Sequence, residues 1–80
     1  MKIINTNFKN IERNPKYSNK LNNQIGYYNN LRARTCASVD FFNDATKAEQ
    51  KMMYSTIMGN VVKTAKLEKA INNIIQRRYN

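Results

Sequence analysis

From Thr64 to Arg78 the apolar and polar positions separate with a helical period. On a wheel of about 100° per residue, Leu67, Ala70, Ile71, Ile74 and Ile75 share one side, and Lys66, Lys69, Asn73 and Arg77 the other. The same period runs through Tyr17, Leu21, Ile25, Tyr28 and Leu31, so a helix is expected over residues 15–37. Asn14-Pro15 supplies its start signal, because Asn is a favoured cap and Pro suits the first helical position. Ser38 to Ala45 interrupts the pattern and reads as a connection, with Phe41 and Phe42 plugging the core between helices.

Thr46-Lys47-Ala48-Glu49 matches the capping box S/T-x-x-E, which predicts a new helix start at Thr46. Beyond it the apolar face turns by about a third of a circle at 100° per residue. Met53, Tyr54, Ile57, Met58 and Val61 define one direction, Leu67, Ala70, Ile71 and Ile74 another, with Gly59-Asn60 just before the change. A Gly followed by a good cap residue predicts two helices, 46–58 and 61–78, in preference to one rod.

Residues 1–13 form an N-terminal arm or a short helical turn. Ile4, Phe8 and Ile11 have helical spacing, asparagines surround them, and Lys2, Lys9 and Arg13 make the segment basic. No strand signal stands out. The expected architecture is all-α: a small bundle of three main helices (15–37, 46–58, 61–78) in one domain, 14–80, behind the arm.

Charge narrows the function classes. Fourteen Lys and Arg against five Asp and Glu give a net charge of +9. Residues 1–37 hold seven of the basic side chains and residues 61–80 five, while the middle is near neutral. Such a field attracts polyanions and argues against a DNA mimic. At eighty residues a single core contributes only about 3–5 kcal/mol, so dimerisation or residence in a complex is expected. The one cysteine, Cys36, rules out an internal disulfide, and the absence of histidine rules out a Cys/His metal site.

Without histidine the commonest general base is missing, and no phosphate-binding glycine loop occurs. Asp40 and Asp44 are too few to hold a metal ion and read as capping groups. No enzyme, metal or cofactor is expected. A helix-turn-helix around Gly59 fits poorly, because Asn60 and Glu68 fall where apolar residues are needed. No signal peptide or membrane-spanning run is present, so a cytoplasmic protein without membrane insertion is expected. The asparagine- and lysine-rich composition fits an AT-rich genome such as that of a phage or mobile element.

The candidate chemistry lies in two basic rows. Lys16, Lys20, Asn23, Tyr27, Asn30 and Arg34 follow 4-3-4-3-4 spacing on one helix face, and Lys66, Lys69, Asn73, Gln76 and Arg77 form a second row. Cations interleaved with amides and a Tyr suit successive phosphates. The leading expectation is therefore a non-catalytic nucleic-acid-binding protein using Lys16, Lys20, Tyr27, Asn30, Arg34, Lys66, Lys69 and Arg77. The alternative is an interaction protein that modulates a host enzyme or serves as a minor subunit of a large assembly, with Arg32, Met52, Met53 and Tyr54 as its contact surface. Arg32, on the apolar stripe of the first helix, would otherwise pair with Asp40, Asp44 or Glu49.

Overall fold

The computed structural model describes residues 3–79; Met1, Lys2 and Asn80 lie outside them, and with Lys2 goes part of the charge expected of the arm. The described chain is a helical hairpin crossed by an extended N-terminal strap. Helix α1 spans Asn19–Asp44 and helix α2 spans Lys47–Arg78, with no strand among the described residues. The expected three-helix bundle is therefore corrected to two helices, and no helix described is long and apolar enough to cross a membrane.

Each difference from expectation has a local cause. Asn14 closes a turn instead of capping a helix: its Oδ1 accepts from the Lys16 amide at 2.9 Å, and its carbonyl from the Tyr17 amide at 2.9 Å. The cap passes to Ser18, whose Oγ accepts from the Leu21 amide at 3.1 Å. Residues 38–44 stay helical because Val39 and Phe42 continue the buried row of Leu21, Ile25, Tyr28 and Thr35. Only Ala45 and Thr46 leave the helix, both extended. Thr46 and Glu49 form the expected capping box, with the Glu49 amide donating to Thr46 Oγ1 at 3.3 Å and the Thr46 amide to Glu49 Oε1 at 3.0 Å. The Thr46 amide, and its hydroxyl donating to the same Glu49 Oε1 at 2.8 Å, hold the Glu49 carboxyl below its usual range.

Helix α2 runs through Gly59 without a break, and the molecule's longest dimension, 47 Å, matches about 1.5 Å for each of its 32 residues. The expected rotation of its buried face dissolves once the spacing is taken as seven. Ile57, Thr64 and Ile71 are its buried residues, facing Leu21, Tyr28, Thr35 and Phe42 of α1 at the same interval. A straight helix drifts by about 20° per heptad, which slight supercoiling removes. Thr64 had hidden the continuity by being polar.

The seam holds two apolar clusters. Val39, Phe42, Ile57 and Ile4 fill the loop end; Leu21, Ile25, Tyr28 and Ile71 fill the open end, with Ile11 and Tyr17 against them. Between them lies a buried pair of threonines. The Thr64 hydroxyl donates to the Asn60 carbonyl at 2.7 Å, which leaves its oxygen to accept from Thr35 Oγ1 at 3.1 Å.

The strap is extended, and asparagines fix it. Asn22, Asn29, Cys36 and Asn43 stand one position after the seam residues Leu21, Tyr28, Thr35 and Phe42, which makes a single row along α1. Three of these residues clamp the backbone with both ends of the amide. Asn43 takes the Ile3 and Ile4 amides and donates to the Ile4 carbonyl; Asn29 pairs with both groups of Ile11, and Asn22 with both groups of Asn14, all at 2.9–3.1 Å. The lengths agree. Ten extended residues from Ile4 to Asn14 reach about 33 Å, and the α1 backbone from Asn43 to Asn22 rises about 32 Å. Burial alternates from Ile4 to Lys9, as an extended chain requires. The helical spacing of Ile4 and Ile11 is coincidental: a helix would set them only about 10 Å apart, too close to enter both clusters.

Candidate nucleic-acid interface

The row one position before the α1 seam is the counterpart of the asparagine row. It reads Lys20, Tyr27, Arg34 and Phe41, all exposed. On α2 the row before Ile57, Thr64, Ile71 and Arg78 reads Thr56, Lys63, Ala70 and Arg77. The two rows border one groove on the side of the hairpin away from the strap. Tyr27, Leu31, Arg34, Ser38, Asn60 and Lys63 line its centre, a space of about 320 Å³. Lys20, Gln24, Ile74 and Arg78 line its open-end stretch. The Lys63 ammonium stands 5.9 Å from the centroid of the Tyr27 ring, a cation–π placement that ties the two walls together.

The groove is electrostatically one-sided. Lys20, Arg34, Lys63 and Arg78 line it, and among the described residues no Asp or Glu does. Two of the chain's five carboxylates are engaged elsewhere: Glu49 in the capping box, and Glu68 beside the Tyr28 hydroxyl at 2.9 Å. That hydroxyl also lies 2.9 Å from the strap's Lys9 carbonyl, and burial, with Glu68 beside it, raises its pKa so that it stays protonated. Glu68 therefore sits at a strap contact, away from the groove.

The structure brings together part of the residue set expected from sequence. Lys20, Tyr27 and Arg34 share the groove wall, and Arg77 stands two heptads beyond Lys63 on the facing row. Lys16 lies in the turn before α1, off the helical row. Asn30 falls two residues after Tyr28, and Lys66 and Lys69 two residues after Thr64 and before Ile71. About 200° from the seam, all three occupy outer faces. Lys63 and Arg78 were missed, and the signal for both was the seven-residue interval of the α2 seam.

The other expected surface is split. Arg32 lies at the strap, its Nε donating to Asn10 Oδ1 at 2.7 Å, not to Asp40, Asp44 or Glu49. Met52 and Met53 border a cleft at the loop end, together with Phe41. Tyr54 faces the opposite side, with Ile3 and Lys51 and with the Phe42 ring at 6.0 Å. Of the two phenylalanines expected to plug the core, Phe42 is 1% exposed and does so, while Phe41 is 61% exposed and does not.

Among the described residues no cluster of three or more Cys, Asp or Glu could hold a metal ion. Comparison of the chain with protein-family models, curated proteins and solved structures finds no match in any of the three.

Proposed function

We propose that this chain is a non-catalytic nucleic-acid-binding protein whose contact site is the groove opposite the strap. The observation that supports this reading is the convergence of Lys20 and Arg34 from α1 with Lys63 and Arg78 from α2 on a lining with no Asp or Glu among the described residues. Four cations that share this lining with no Asp or Glu among the described residues can attract phosphates, and a basic chain of net charge +9 adds long-range steering. Tyr27 and Asn60 supply hydrogen-bonding groups between the charges.

A second reading takes the loop-end cleft as the contact with a protein partner, since Met52, Met53 and Phe41 border it. It ranks below the first because Arg32 and Tyr54, the other members of that surface, lie on different faces.

Two double charge reversals test the placement. Arg34→Glu with Lys63→Glu alters the groove, and Lys66→Glu with Lys69→Glu alters the back of α2 by the same net charge. Fluorescence anisotropy with a labelled oligonucleotide should show the groove pair weakening binding on the order of 100-fold and the back pair roughly tenfold less than that. Equal losses would mean that only net charge matters, and the groove would then have no special part.

A further inference from the structure

The groove changes character along its length. From Lys20 to Ser38 its lining is basic and polar. Past Ser38 and Asn60, which border both stretches, it opens into an apolar cleft of about 460 Å³ lined by Phe41, Met52, Met53 and Ile57. Two of these side chains stand well out in water, Phe41 at 61% and Met52 at 84% exposure. Along α1 the row alternates cation and ring, Lys20, Tyr27, Arg34, Phe41, with about 10 Å of axial rise between successive members.

We infer that the ligand of the groove is a single-stranded nucleic acid, with bases stacked on Tyr27 and against Phe41 in the cleft and phosphates on Lys20, Arg34, Lys63 and Arg78. This rests on the nucleic-acid reading above. The alternation is what selects the single strand. A duplex presents phosphates outward and keeps its base faces stacked inside, so its backbone would cover Phe41 and Met52 with charged atoms. Those side chains and the phosphates would both lose water with nothing gained. A single strand offers charged phosphates and free base faces in turn, matching a wall of cations and rings. An acidic amphipathic helix would also satisfy the charge, but it needs an apolar stripe along its whole length. In this groove the exposed side chains without a polar handle, Phe41 and Met52, lie at the loop end, and between the cations stands only the amphipathic ring of Tyr27.

The test compares labelled oligo-dT of twenty nucleotides with a duplex of equal length, using the whole chain and its Phe41→Ala, Met52→Ala and Arg34→Glu variants. Phe41 and Met52 are exposed, so both alanine variants should keep the helicity and melting profile of the parent. The single strand is expected to bind at least tenfold tighter than the duplex. Phe41→Ala should weaken single-strand binding about tenfold, leave duplex binding unchanged, and leave the salt dependence of single-strand binding as it was, since no charge is removed. Met52→Ala should act in the same direction, less strongly. Arg34→Glu should weaken both ligands and flatten the salt dependence. Equal affinity for both ligands with Phe41→Ala inert would overturn the single-strand assignment while the nucleic-acid reading stands. No binding of either ligand would overturn both.

Discussion

At the open end of the hairpin Leu21, Ile25, Tyr28 and Ile71 are almost wholly shielded, whereas at the loop end Phe41, Met52 and Tyr54 stay in water beside the core of Ile4, Val39, Phe42 and Ile57. The contrast follows from how each end is closed. The loop end is joined covalently through Ala45 and Thr46, so its two helices stay adjacent whatever is buried there. The open end has no such link and is closed by side chains. The Tyr17 and Tyr79 rings meet at 4.8 Å, and the Ser18 amide donates to the Tyr79 hydroxyl at 3.1 Å. Covalent closure thus lets apolar side chains at the loop end stand in water, while the open end commits its own to cohesion.

The threonine pair divides the two regions, and breaking it should have the largest effect. Thr64→Val leaves the Thr35 hydroxyl buried without its acceptor and should lower stability by about 1–3 kcal/mol in urea denaturation. Adding Thr35→Val should recover most of that loss, because no polar group is then stranded. A double variant as unstable as the single one would mean that packing, not the hydrogen bond, sets the cost.

The next pair separates the ends. Tyr79→Ala removes the aromatic clasp and should cost about 1 kcal/mol, speeding amide exchange near Leu21 and Ile71 but not near Phe42. Asn43→Ala removes the strap's last clamp and should do the reverse, exposing the Ile3 and Ile4 amides. Exchange that rises over the whole molecule in both variants would show that the two clusters melt as one.

Gly59→Ala should have the smallest effect, and a stabilising one. Nothing lies within 4 Å of the position an alanine Cβ would take, so only helix propensity changes. A gain of up to about 1 kcal/mol is expected. Gly26 is different. There the Arg13 guanidinium of the strap lies against the helix where a Cβ would project, so the same substitution must displace it.

Some of this was legible in sequence and some was hidden for physical reasons. The capping box at Thr46 and the apolar stripe of α1 through Leu31 were readable because local hydrogen bonds and a single buried face fix them. The continuity of α2 was obscured by Gly59 and by the polar Thr64 in its seam, and the strap by isoleucines at helical spacing in a segment that is extended. Lys20, Tyr27 and Arg34 could be grouped because they share one helix. Their convergence with Lys63 and Arg78 depends on how the two helices face each other, which requires the seven-residue register of both.

The most direct test of the groove is the salt dependence of single-strand binding. Four phosphates neutralised by Lys20, Arg34, Lys63 and Arg78 predict that log K falls against log salt with a slope of about −3. The slope should drop toward about −1 when Arg34 and Lys63 are reversed to Glu. A slope near zero for the parent, or one unmoved by the reversals, would contradict the assignment of these four cations as the contact set.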